Sequence, residues 1–246
     1  MSAVARAEEP ADLAPEDVLR WAYETFRRVA IVASFQAESS VLIDMASRIR
    51  QEVHVITLDT GRLPQATHDL IDRIRDRYAI EVKVVAPDAR DLEQMVGANG
   101  VNLFYSSPAL RRLCCEVRKS KPLARALDGY DAWVTGVRRQ QAATRAKTPV
   151  IAADPEHEGL TKIAPLAGWS KDQVWSYIRD NDLPYHSLYD LGYTSIGCEP
   201  CTRATAAGED ERAGRWWWEE NEVKECGLQW TPDGRPLQVR PRSVPQ

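Results

Sequence analysis

Short, almost wholly apolar runs alternate along the chain with longer segments in which apolar positions return every three or four residues. VAIVAS (29–34), VHVITL (53–58), IEVKVVAP (80–87) and AWVTG (132–136) are the apolar runs, and their length and β-branched content predict buried strands. The segments between them predict helices. One opens at Pro15, a residue suited to a first helical turn, and runs to about Arg28, with Val18, Leu19, Ala22 and Phe26 on one face. Others cover VLIDMASRIR (41–50), about Pro64 to Tyr78, the stretch from about Asp88, and roughly 109–128. Strand–helix alternation of this kind implies a mostly parallel sheet covered on both faces, the doubly wound α/β class. Ligands of such sheets bind beyond the carboxyl ends of the strands. The loops spanning Ser34 to Ser40, Asp59 to Arg62 and Gly136 to Arg145 are therefore the expected walls of a site. No internal repeat interrupts the pattern. The first residues, to about 14, read as disordered, and the Pro- and Arg-rich end from about Thr231 as a mobile tail.

Composition narrows the class. The 246 residues suffice for one large domain or two small ones, with 43% apolar and 28% charged residues as in an ordinary globular protein. A net charge of −4 argues against a generic nucleic-acid binder, so attraction to an anion must come from a local cluster. No run approaches the roughly 18 apolar residues of a membrane span, and the acidic N-terminus lacks a signal-peptide pattern. The expectation is a cytoplasmic protein with no membrane partner, whose thiols stay reduced.

The cysteines change the picture most. Of five, four form close pairs, Cys114–Cys115 and Cys198–Cys201, and Cys226 stands alone. Neighbours in sequence make poor disulfides, because their Cα atoms are about 3.8 Å apart, below the usual range of about 4.4–6.8 Å. Taken together, the pairs read as metal ligands. Adjacent helical residues point about 100° apart, which is awkward around one zinc ion and natural around a cluster offering several iron atoms. Spacing alone favours a four-iron cluster over zinc, and buried, metal-free cysteines remain a third reading. Arg111, Arg112, Arg118, Lys119 and Lys121 would offset the charge of such a cluster, although most charge runs are only solvated helix faces. Arg212 and Arg215, three apart, would share a helix face and suit sulfate or phosphate oxygens, or else pair with Glu209, Glu211 or Glu219. Trp216, Trp217 and Trp218 read as packing residues. Cys226, next to the flexible Gly227, is a candidate nucleophile; basic neighbours would lower its pKa and Glu225 would raise it.

The set CC…GCEPCTR…GRWWWE…KECGL resembles the assimilatory adenylyl-sulfate reductases, the iron–sulfur branch of the phosphoadenylyl/adenylyl-sulfate reductase family. SFQAESSVLIDMA, LDTGRLPQAT, TGVRRQQAATR and SLYDLGYTSIGCEPCTR are similar to family segments, so the resemblance runs from about Val29 to Leu228. It implies an adenine-nucleotide hydrolase-like (Rossmann-like) fold. The expected activity is that of an oxidoreductase of sulfate assimilation and cysteine biosynthesis. It would reduce adenosine 5′-phosphosulfate to sulfite and AMP with thioredoxin, through a thiosulfonate on Cys226. Cys114, Cys115, Cys198 and Cys201 would ligate a 4Fe–4S cluster. Lys119, Arg138, Arg139, Arg212 and Arg215 would surround the phosphosulfate, and Ser34, Thr60 and Gly136 would meet the nucleotide. The resemblance divides the chain into a reductase domain over 15–220 and a mobile C-terminal segment over 221–246 carrying the nucleophile, and leaves a homo-oligomer open. The alternatives are a reductase of the 3′-phosphorylated nucleotide, PAPS, and a zinc or iron–sulfur nucleotide-binding protein without reductase activity. One departure stands out. The family's Cys-Gly-Leu-His ending reads Cys-Gly-Leu-Gln here, with Gln229 in place of a group that could carry charge.

Overall fold

The computed structural model describes residues 13–154, 156–157, 159–219 and Glu225. Its centre is a six-stranded sheet of β1 (Val29–Val32), β2 (His54–Leu58), β3 (Val82–Val85), β4 (Ala132–Val134), β5 (Ile151–Ala153) and β6 (Thr161–Ile163), in the order β3-β2-β1-β4-β6-β5. All pairs are parallel except β5–β6. Period-2 alternation sends Val29, Ile31, Val55 and Val134 to one face and Ala30, Ile56 and Trp133 to the other. Both faces are covered, as the unbroken apolar runs require. The first face carries α1 (Pro15–Thr25), α2 (Ala37–Ile49), α3 (Gln65–Tyr78) and α7 (Lys171–Asp180). The second carries α6 (Lys121–Leu127). Helices α4 (Ala89–Asn99) and α5 (Pro108–Cys115) lead into a separate small core of Met95, Leu103, Phe104, Val117, Trp216 and three of the cysteines.

The four expected strands form within about two residues of their predicted bounds. Helix α2 starts at Ala37, four residues before the predicted Val41, so FQAESS is only half a loop. Phe35 makes the turn with φ of +55° and a fully buried ring, an uncommon backbone state for an aromatic residue. Glu38 then falls in the first helical turn, where the helix dipole favours its charge. The expected helix over 109–128 is three pieces, because residues Glu116–Ser120 form a π turn between α5 and α6. Pro122 supplies the reason. It has no N–H to donate, and its ring needs room where the carbonyl of Arg118 would otherwise lie. The apolar pattern does not pick out β5, β6 or α7. The two strands have three residues each, and β5 is a half-exposed edge. Helix α7 has its signal in polar residues instead, a capping box between Ser170 and Gln173.

Candidate active site

The direction of strand order reverses between β1 and β4, and there the carboxyl ends of the strands open onto a cavity of about 160 Å³. The backbone ladder continues one residue past each strand, through Ala33 N–H to Ile56 O (2.8 Å), Asp59 N–H to Val85 O (3.0 Å) and Thr135 N–H to Ile163 O (2.8 Å). Those bonds deliver Ser34, Thr60 and Gly136 to the same rim, and all three line the cavity. A Cβ on Gly136 would sit 2.7 Å from that of Glu38, so only glycine lets the start of α2 pack this closely on the β4 loop. Gln36 ties the first loop to the cysteine turn, its Oε1 accepting from Ile196 N–H at 2.8 Å.

Lys119, Arg212 and Arg215 also line the cavity, as do Arg145 and Gln141, which the sequence reading left unassigned within a basic loop. Arg138 and Arg139 do not. Arg138 is buried between Glu38 (2.7 Å) and Glu211 (3.1 Å), while Arg139 donates to the carbonyl of Thr148 (2.9 Å). Arg212 and Arg215 lie on successive turns rather than on a helix, joined by Arg215 N–H to Arg212 O. The acidic residues anticipated as their partners also bind elsewhere: Glu209 pairs with Arg203, Glu211 with Arg138 and Glu219 with Arg111. Arg215 stacks on Trp216, and its buried Nε has no hydrogen-bond acceptor among the described residues. A Cβ on Gly197 would collide with the Arg215 guanidinium, so this glycine of the cysteine turn makes room for it.

Arg145 leads to Glu225. The Glu225 carboxylate accepts from Arg145 Nε (2.8 Å) and Nη2 (2.7 Å), Thr144 Oγ1 (2.9 Å) and Arg212 Nη2 (3.2 Å). Burial alone would raise this carboxyl. The hydrogen bonds from Arg145 and the two guanidinium charges outweigh it and hold the group below its ordinary range. Cys226 and Gln229 lie outside the described residues.

Behind the cavity, Cys114, Cys115, Cys198 and Cys201 share a small enclosed space with Arg62, Phe104, Arg111, Arg118 and Lys119. Lys119 lines both spaces. Of the basic run, Arg111 is committed to Glu219, and Lys121 to Asp91 at the surface. Arg118 donates to the carbonyl of Thr60 (2.6 Å), whose hydroxyl lies 3.3 Å from Cys198 Sγ. Burial and mutual repulsion push the Cys201 thiol up to about 11 and raise Cys114. Arg118 acts the other way on Cys114, and Lys119 and Arg215 on Cys201.

The sequence profile of the phosphoadenosine phosphosulfate reductase domain matches residues 28–204. This chain belongs to that family. Within it, the adenosine 5′-phosphosulfate reductase of Allochromatium vinosum is 47% identical over 200 residues, 81% of this chain and 78% of that protein. The enzyme of the same name from Pseudomonas aeruginosa (strain LESB58) is 44% identical over 230 residues, 91% of this chain and 85% of that one. The crystal structure of phosphoadenylyl-sulfate reductase from Candida auris, a phosphate complex, superposes with a TM-score of 0.67 at 33% identity, covering 78% of this chain and 91% of that chain. Candida glabrata FMN adenylyltransferase shares the fold at 15% identity, with a TM-score of 0.54 and coverage of 91% of this chain and 78% of that one.

The donor set of this family member suits a polynuclear metal group. Four free thiols surround one space, with cationic side chains to offset thiolate charge. In the same core the buried Trp216 indole N–H lacks an acceptor among the described residues, a donor that a sulfur could satisfy. Among those residues no three His, Cys, Asp or Glu side chains gather around a single point as ligands of one ion.

Proposed function

We propose that this protein reduces adenosine 5′-phosphosulfate to sulfite and AMP in sulfate assimilation, with thioredoxin as the dithiol reductant and Cys226 as the nucleophile. The observation that carries the reading is Lys119, which lines both the cavity at the strand reversal and the space shared by four cysteines. Ser34, Thr60 and Gly136 meet the nucleotide at the strand ends, and Lys119, Arg212 and Arg215 face the phosphosulfate. Arg138 shapes the wall through Glu38 and Glu211, and Arg139 supports the loop through Thr148. The relatives named for this substrate span most of both chains.

The chemistry explains the cations. An anionic thiolate approaches an anionic sulfate group, and fixed positive charge lowers that electrostatic cost in the transition state. The Cys226 thiolate attacks the sulfate sulfur. An S–S bond forms, the S–O bond to phosphate breaks, and AMP departs with the electron pair. A thioredoxin thiolate then attacks Cys226 Sγ and expels sulfite. The second thioredoxin thiol resolves the mixed disulfide and returns Cys226 as thiolate. Both electrons come from the dithiol. Cys114, Cys115, Cys198 and Cys201 would hold a 4Fe–4S cluster, which when bound supplies a compact negative charge beside Lys119. The reading places the protein in the cytoplasm. Among the described residues no helix is long and apolar enough to cross a membrane.

The test is anaerobic mass spectrometry of the holoenzyme incubated with adenosine 5′-phosphosulfate, or with PAPS, without thioredoxin. One SO₃ group on the Cys226 peptide, removed by thioredoxin, is the expected result. An adduct from PAPS alone would transfer the activity to the substrate of the Candida auris relative. No adduct from either, with iron present, would overturn the reductase reading.

A further inference from the structure

Resting on the reductase reading, we infer that Glu225 is a positioning residue whose docked carboxylate fixes the chain one residue before the proposed nucleophile, Cys226. Three observations carry this. First, Glu225 is held by both of its halves. Its carboxylate takes four hydrogen bonds from Thr144, Arg145 and Arg212, and its backbone carbonyl accepts from Arg111 Nη1 at 2.9 Å. Second, the anchor is continuous with the cysteine segment. Arg111 lies three residues before Cys114 on α5, grips Glu219 through Nε and Nη2 (2.9 Å each), and stacks on Trp216 at 4.4 Å. One guanidinium therefore ties residues 219 and 225 to the helix that bears the first cysteine pair.

Third, the docked carboxylate does not fill the cavity. Arg145 and Arg212 line it and hold Glu225 at the same time, while Glu225 is absent from its lining. Lys119 and Arg215 remain on the wall. Anchor and substrate can thus be present together, which separates a positioning group from a competitor for the anion site. Consecutive Cα atoms are about 3.8 Å apart, so holding Glu225 by side chain and carbonyl restricts the start of the segment that follows it. Fixing a nucleophile this way removes orientational freedom before the chemical step.

The experiment compares the full-length holoenzyme with its Glu225→Gln and Glu225→Ala variants. Three quantities are read: the single-turnover rate of SO₃ transfer to Cys226 at saturating adenosine 5′-phosphosulfate, the Kd for AMP, and hydrogen exchange of the peptide spanning residue 225. The expected result is a rate lowered by about 10- to 100-fold, an AMP Kd changed by less than about threefold, and faster exchange in both variants. Glu225→Gln keeps the shape of the side chain and guards against a folding defect in the alanine variant. A rate within about twofold of wild type would overturn the inference. So would equal losses of rate and AMP affinity, which would make Glu225 a part of the binding wall. An adduct on wild-type Cys226 with no variant effect sinks this inference alone, whereas no adduct on wild type sinks the reductase reading and the inference with it.

Discussion

Single residues decide where the cations of this site point. Gly197 leaves the space that the Arg215 guanidinium occupies, and the obstacle a methyl group would meet is the end of a flexible side chain, not backbone. Gly197→Ala should therefore displace Arg215 at little cost to the fold. Losing a charge-assisted hydrogen bond of about 1.5–3 kcal/mol should raise KM for adenosine 5′-phosphosulfate about tenfold or more, with kcat less affected. A steady-state comparison checks this, and an unchanged KM would show that Arg215 does not contact substrate. His186 is a second case. Fully buried, it uses Nε2 toward Thr67 Oγ1 (2.9 Å) and accepts at Nδ1 from Leu188 N–H (3.2 Å), so only a neutral ring satisfies both. Burial lowers its pKa from 6.5 to about 4, against a smaller opposing pull from Asp69. Between those values the unfolded chain binds a proton that the folded chain refuses, so stability is full above pH 6.5 and drains as pH falls toward 4. Roughly 2–3 kcal/mol is at stake, and His186→Gln should flatten the pH dependence of the urea midpoint across that window. Gln229, in the place of the family's histidine, gives a third test. Gln229→His should tighten substrate binding or add a pH-dependent step to the rate, and identical pH profiles would show that the substitution is silent.

At the scale of elements, the packing of α2, α3 and α7 converges on one carboxylate. Asp44 of α2 is buried and accepts from Tyr78 of α3 (3.0 Å), Tyr177 of α7 (2.8 Å) and Arg48 (2.8 Å). Asp44→Ala would strand two hydroxyls in the helical layer and should cost about 2–4 kcal/mol, read from the urea midpoint. Because α2 opens at the β1 loop, the same variant should weaken nucleotide binding only after the midpoint has moved. The π turn between α5 and α6 matters in a different way. It places Arg118 against Thr60 and brings Lys119 to both the nucleotide cavity and the cysteine space. A π turn is favoured by few sequences and persists where its geometry serves a site.

For the whole molecule, the division is between a sheet with two apolar layers and a smaller core built around thiols. The small core contains few large apolar residues, and burial raises the pKa of the Cys114 and Cys201 thiols within it. On the proposed cluster reading, treatment with an iron chelator should lower Tm and speed hydrogen exchange in 103–120 and 196–218, while the sheet strands keep their protection. Equal exchange across the chain in holo and apo protein would rule out the cluster as a structural element of that core.

The apolar runs by themselves determined four parallel strands, their flanking helices and the rim on which Ser34, Thr60 and Gly136 stand, because a strand buried on both faces writes its burial directly into the chain. The gathering of the two cysteine pairs was legible too, from residue type and short spacing, and the structure brings all four around one space. The edge pair β5–β6 left no such trace, because its three-residue strands draw their order from β4 rather than from their own composition. Only the tertiary structure decided which arginines face the cavity. Long, flexible guanidinium groups look alike in sequence. The carboxylates that reach them from distant segments, Glu38 and Glu211 for Arg138 and Glu225 for Arg145 and Arg212, assign Arg138 to the frame and leave Arg145 and Arg212 on the cavity wall.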